Sequence, residues 1–180
     1  FLALAILLLI SSNHLVINDD IHFDILHIIL PFLLLKSSVD TRDVGVIKSR
    51  GLGKRECIIV KPEDSILTIF ANEWSKSNYP IKWIFVDEAQ FLTEKQVEEL
   101  SYIVDDCNVN VMCYGLRTDF QTRLFPGSKR LLELADTIEE IKSTCSCGGK
   151  AIVNARMDKD GNSNILVGLE ISKRERLKKK

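Results

Sequence analysis

Four large apolar residues in a row, Trp83 to Val86, run straight into two carboxylates, Asp87 and Glu88. A run of this length without polar alternation reads as a strand buried on both faces, as the strands of parallel sheets are. In open α/β sheets reactive groups collect at the carboxyl ends of such strands, which is where Asp87 and Glu88 fall. In a nucleotide-binding fold the first acid at that place holds magnesium, usually through water, and a neighbouring acid serves as general base toward a hydroxyl or a water. A solvated Asp-Glu pair opening a helix is the plainer alternative, because carboxylates favour the positive end of the helix dipole. The motif alone does not choose between the two.

The flanking segments extend the pattern. Phe32 to Leu35 reads as a short buried strand, Lys36 to Arg55 as an irregular glycine-containing connection, and Cys57 to Val60 as another strand. Pro62 is expected to open an amphipathic helix running to about Ser77, with Glu63 and Asp64 in its first turn and Ile66, Phe70 and Trp74 on one face. After the acid pair, Thr93 and Gln96 form a capping box, and Val97, Leu100 and Val104 mark the buried stripe of a helix ending near Asp106. Val109 to Tyr114 is the next strand, Gly115 to Ser128 a loop, Leu131 to Ala135 a short helix and Thr137 to Lys142 an edge strand. Alternating strands and helices of this kind predict a parallel α/β sheet.

Composition narrows the function classes. The net charge of −1 gives no global attraction to nucleic acid or to an anionic membrane. The one basic patch is the tail Lys173 to Lys180, where six of eight residues are Lys or Arg, and a frayed terminus explains it without a partner. Five scattered cysteines, without the spacing of a disulfide framework, point to a reducing, cytoplasmic setting. Residues 1–35 contain no Gly, Lys or Arg. Their two apolar blocks fall short of the roughly 18 uninterrupted residues of a membrane-spanning helix, and they lack the basic start and small-residue cleavage site of a signal peptide. The chain opens on Phe1 rather than Met, so residues 1–31 read as a segment apart from the rest. Residues 32–142 read as an α/β core and 143–180 as an appendage.

Four pieces together carry a resemblance: Val86-Asp-Glu-Ala-Gln-Phe-Leu92, Cys113-Tyr-Gly-Leu-Arg-Thr-Asp-Phe120, Leu124-Phe-Pro-Gly-Ser128 and the Cys145-Ser-Cys-Gly148 pair. In order and spacing they resemble the type II cytosolic thymidine kinases, and Lys36-Ser-Ser-Val-Asp-Thr-Arg42 looks like that family's second-strand segment. A bare Asp-Glu-x-Gln also occurs in unrelated P-loop ATPases, so the combination carries the signal. The resemblance implies a RecA-like P-loop core with a zinc-ribbon lasso, transferring the γ-phosphoryl group of ATP to the 5′-hydroxyl of thymidine or deoxyuridine. It implies Asp87 as the magnesium-linked acid, Glu88 as the base, and Ala89 and Gln90 as neighbours lining the nucleotide site. Phe91, Leu116, Phe120 and Phe125 would wall the base, Asp40 and Arg42 would line the substrate site, and Cys145 and Cys147 would bind structural zinc. It further implies a homo-oligomer, a tetramer, with ATP and a small nucleoside as its ligands and no nucleic acid or membrane partner. Ordinary core packing is the alternative for each Phe, and reduced surface thiols for the two cysteines.

Two features depart from that pattern. The family's first strand leads into a Gly-rich phosphate loop ending in Gly-Lys-Ser/Thr, whereas the first glycine here is Gly45. Without that cradle most of the charge stabilisation of phosphoryl transfer is missing, and the chain as written is expected to be inactive. The second pair of zinc ligands is also missing, since no Cys or His follows Cys147. A non-catalytic remnant or pseudoenzyme of the family is therefore the second reading. A motor ATPase is a weaker third, because it requires the same loop.

Overall fold

The computed structural model describes residues 5–10, 32–41, 44–49 and 53–141. Strands β1 (Ala5–Ile10), β2 (Phe32–Ser37), β5 (Ile58–Val60), β6 (Trp83–Asp87), β7 (Asn110–Leu116) and β8 (Thr137–Ile141) form one sheet in the order β5-β2-β6-β7-β1-β8. A separate antiparallel hairpin joins β3 (Val46–Ser49) to β4 (Gly53–Glu56). The helices are α1 (Ile66–Lys76), α2 (Glu94–Cys107) and α3 (Pro126–Leu134), with one 3-10 turn at Ala89–Phe91. β5, β2, β6 and β7 run parallel, and β1 lies antiparallel between β7 and β8. The parallel α/β sheet expected from the apolar runs is therefore present.

Pleating sorts the central strands into two layers. Leu33 and Leu35 of β2, Ile84 and Val86 of β6, and Val111 and Cys113 of β7 pack with Ile66 and Phe70 of α1, Val97, Leu100 and Ile103 of α2, and Leu131 of α3. All three helices thus cover one face. The opposite face carries Phe32, Leu34, Trp83, Phe85, Met112 and Tyr114. There Trp83 stacks on Phe85 at 5.9 Å, and Phe32 meets Phe85 edge-on at 5.5 Å. A strand buried on both sides explains why Trp83 to Val86 shows no alternation.

Three local readings are refined. Helix α1 starts at Ile66, not at Pro62, because Lys61 to Asp64 close their own turn: the Lys61 N–H donates to the Asp64 carboxylate at 2.8 Å, and Asp64 N–H to the Lys61 carbonyl at 3.0 Å. Ser65 then caps the helix, its Oγ accepting from Thr68 N–H. Helix α3 begins at Pro126, whose missing N–H suits the first helical position. The stretch read as an irregular connection contains the β3–β4 hairpin, which pairs Lys48 with Lys54 and Ile47 with Arg55. Its largely exposed, charged positions leave no apolar alternation to read.

Helix α2 anchors its neighbours through two buried polar side chains. The Thr93–Gln96 capping box is present, and the Gln96 amide also donates to the carbonyls of Lys61 (2.7 Å) and Asp64 (3.0 Å). Glu99, 8% exposed, accepts the N–H groups of Ile66 (2.6 Å) and Leu67 (3.3 Å) at the positive end of α1. Glu99→Ala leaves those donors buried without partners and is expected to cost about 1–3 kcal/mol. Glu99→Gln, which keeps an acceptor, should cost less. Urea unfolding checks both: the midpoint should fall in that order with the slope unchanged.

Candidate active site

The sheet register assembles the site. Lys36 at the end of β2 lies directly opposite Asp87 at the end of β6, and Val86 opposite Cys113 of β7. The Lys36 side chain is almost fully buried, and its Nζ sits 3.0 Å from an Asp40 carboxylate oxygen and 3.5 Å from the Val46 carbonyl. Asp40, Asp87, Glu88 and Lys36 thereby converge at one end of the sheet.

Burial pushes the Asp87 carboxyl above its ordinary range, and the Glu88 carboxylate beside it pushes the same way. The Glu88 N–H, 3.0 Å from Asp87 Oδ1, and the Lys36 ammonium pull it back, while Asp40 adds to the rise. Cys57 joins this neighbourhood: burial raises its thiol, Lys36 lowers it and Asp87 raises it. Cys113 is different, a fully buried thiol pushed up to about 12 by desolvation alone and so without thiolate chemistry.

Past Asp87 the backbone turns sharply. Glu88 adopts a left-handed conformation with φ 53° and ψ 38°, uncommon for a residue with a Cβ. This leads into the 3-10 turn Ala89–Phe91. Gln90, 1% exposed, donates from Nε2 to Glu88 Oε2 at 2.6 Å and accepts Leu116 N–H on Oε1 at 3.1 Å. Ser128 Oγ donates to the Leu116 carbonyl at 2.6 Å. Two glycines permit this packing. A Cβ on Gly115 would lie 2.5 Å from Gln90 Oε1, and one on Gly127 would lie 2.7–2.8 Å from the carbonyls of Ala89, Gln90 and Leu92.

Two of the four residues expected to wall the base are in contact. Phe91 meets Phe125 edge-on, ring centroids 5.5 Å apart. Phe120 and Leu116 are half-buried in and beside the loop that follows β7. That loop is held by Asp119, whose Oδ1 accepts from Gln121 N–H (2.8 Å) and Arg123 N–H (2.9 Å), and by a bridge between Thr118 and Leu124. Asp87, Glu88, Ala89, Gln90, Phe91, Leu116, Phe120, Phe125 and Asp40 all fall within the described residues. Arg42, Cys145 and Cys147 lie outside them. Lys36, Cys57 and Ser128 are named in the sequence reading only as ends of motifs or strands, with no site role of their own. For Lys36 the available signal was a lysine closing a Leu-rich strand four residues before an aspartate.

No three His, Cys, Asp or Glu side chains among the described residues converge as a metal cage. The acid end of β6 instead suits a magnesium ion, which binds through one or two carboxylates and relies on water and substrate phosphates for its other ligands. The raised Asp87 carboxyl, crowded by Glu88 and Asp40, is the observation that fits a divalent cation there.

A parallel α/β sheet with acids at the carboxyl end of its central strand has the arrangement in which open α/β sheets place their ligand sites. Comparison with known proteins gives the family. The sequence profile of the thymidine kinases matches residues 29–172. The chain is 46% identical over 145 residues to the thymidine kinase of Enterobacteria phage T4, covering 77% of this chain and 74% of that protein. It is 50% identical over 129 residues to the thymidine kinase of Zymomonas mobilis, covering 71% and 66%, and 42% identical over 132 residues to that of Yersinia pseudotuberculosis, covering 73% and 66%. The chain belongs to the thymidine kinase family, and it spans about two thirds to three quarters of the length of these relatives.

The raised Asp87 carboxyl carries a pH signature. Its neutral form is favoured in the fold, so as pH climbs from the ordinary value of 3.8 through the raised one, the folded state loses stability on ionising it. Asp87→Asn keeps the acceptor for Glu88 N–H and removes that loss. Without divalent ions, the variant should match the parent below pH 3.8 and melt higher at about pH 7.5. Thermal melts at the two pH values check it.

Proposed function

We propose that this chain carries the core of an ATP-dependent thymidine kinase, transferring the γ-phosphoryl group to the 5′-hydroxyl of thymidine or deoxyuridine. The carrying observation is the acid pair at the end of β6, held beside Phe91, Phe125 and the loop after β7. In this reading Asp87 would hold magnesium, usually through water, and the ion when bound would supply charge neutralisation for phosphoryl transfer. Glu88 takes the proton of the attacking hydroxyl; its backbone conformation and its bond from Gln90 hold the carboxylate beside Asp87 rather than along the strand. Phe91, Leu116, Phe120 and Phe125 supply flat apolar surface for the pyrimidine. Asp40, fixed by Lys36, and Arg42 are assigned to the substrate site, and Ala89 and Gln90 to the nucleotide side. The family match runs through Cys145 and Cys147, which we assign as half of a structural zinc site. The reading also takes the protein as a cytoplasmic homo-oligomer. No helix among the described residues is long and apolar enough to cross a membrane.

A second reading, a non-catalytic remnant, rests on the absence of any glycine before Gly45. It shares the fold and differs in turnover. The 180-residue polypeptide alone is expected to phosphorylate thymidine negligibly with ATP and magnesium; rates of about 1–100 per second would place the phosphate cradle within it. Joined to the N-terminal segment of the phage T4 relative, it should gain activity if the kinase reading holds and the segment after Cys147 still closes over the base, and stay inert if the remnant reading holds. In that active form Glu88→Gln should lower kcat by about 10²–10⁴-fold, the range for a positioned base. A loss under about tenfold would assign Glu88 a structural role.

A further inference from the structure

We propose that Gln90 is a positioning residue: it sets the Glu88 carboxylate from the backbone of Leu116, making the acid end of β6 and the start of the aromatic loop a single unit. The inference rests on the kinase reading for its meaning in catalysis and on geometry alone for the linkage.

The orientation of the Gln90 amide follows from its neighbours. Leu116 N–H can only donate, so the atom 3.1 Å from it is the amide oxygen. Nε2 therefore faces Glu88, where it can only donate, at 2.6 Å. A flip would set the amide NH₂ against a backbone N–H and a carbonyl oxygen against a carboxylate, losing both bonds. With Gln90 1% exposed, water cannot replace either partner. The amide therefore has one orientation, and one Glu88 oxygen is pinned by it.

The other end of the linkage is equally constrained. Both backbone polar groups of Leu116 are taken by buried side chains: its N–H by Gln90, its carbonyl by Ser128, which is 3% exposed. Gly115 leaves the room that Gln90 Oε1 occupies. Leu116 is also where β7 ends and the loop carrying Phe120 and Phe125 begins. A shift of that loop along β7 must drag Gln90, and Gln90 cannot move without releasing Glu88. Burial and full engagement of both amide ends explain Gln90 as a strut between protein groups without requiring contact with a ligand.

Two measurements test this, one independent of turnover. In the 180-residue polypeptide, the Gln90 side-chain amide and Leu116 backbone amide resonances should both shift on Glu88→Gln and on Gly115→Ala. Unmoved resonances overturn the linkage whatever the enzyme does. In the form that turns over thymidine, Gln90→Leu should lower kcat about 10–100-fold per folded molecule with KM for thymidine within about threefold. Gln90→Glu keeps the acceptor for Leu116 but sets a second buried carboxyl against Glu88, so the two groups share a proton and the pH dependence of kcat should move upward, a change that a merely structural role would not produce. An unchanged kcat overturns the positioning role, and so does a rise in KM alone. If resonances shift as expected while no form turns over thymidine, the linkage stands and the kinase reading fails.

Discussion

Everything at the acidic end of this molecule depends on backbone hydrogen bonds holding β2, β6 and β7 in parallel register. Pleating allows no intermediate position: a slip of one residue would turn Ile84 and Val86 toward the wrong layer and carry Asp87 to the opposite face. Apolar burial makes such a slip costly. Ile84, Val86, Val111 and Cys113 are fully buried on the helix side, Trp83 and Phe85 nearly so on the other, and each large apolar side chain contributes about 1.5–3 kcal/mol. Register is thus specified by hydrophobic packing on both faces, and the chemistry-bearing residues are carried to their places by it.

Such a sheet end concentrates charge where it is poorly solvated. Asp40, Asp87 and Glu88 share the region with Lys36, and the lysine's stem and ammonium are almost wholly withdrawn from water. Replacing a pair like Lys36–Asp40 with apolar residues is often neutral for stability, whereas removing one partner strands the other. The pair is better understood as fixing where the connection after β2 leaves the sheet. The same connection is tied by Ser38 N–H to the Val60 carbonyl and by Cys57 N–H to the Gly45 carbonyl.

What was legible in the sequence was local. The run Trp83 to Val86 identified the central strand because burial on both faces erases alternation, and Thr93 with Gln96 identified the start of α2 because a capping box spans only four residues. The acid pair and the aromatic loop were legible as motifs. The start of α1 was obscured by competition among three adjacent capping-type signals, Pro62, Asp64 and Ser65, which only the local hydrogen bonds resolve. The hairpin β3–β4 was hidden because it buries little and so shows no pattern. Lys36 opposite Asp87, and Gln90 between Glu88 and Leu116, lay beyond sequence reasoning because they depend on pairing between segments 26 or more residues apart. Gln90 sits in the motif that suggested a nucleotide-lining role, and its amide bonds Glu88 and Leu116.

The left-handed backbone at Glu88 sets two kinds of selection against each other. At such a φ a residue bearing a Cβ is strained, and glycine adopts the same conformation without penalty. A search for tougher variants of this domain, scored on survival to heat or protease, would therefore tend to enrich glycine at position 88. If Glu88 is the proposed base, doing so would discard the carboxylate that takes the proton. On the proposed role, the tension makes this position a marker of history: a lineage still under selection for phosphoryl transfer would retain the strained acid, and one freed from it could relax the turn and lose the acid in a single substitution.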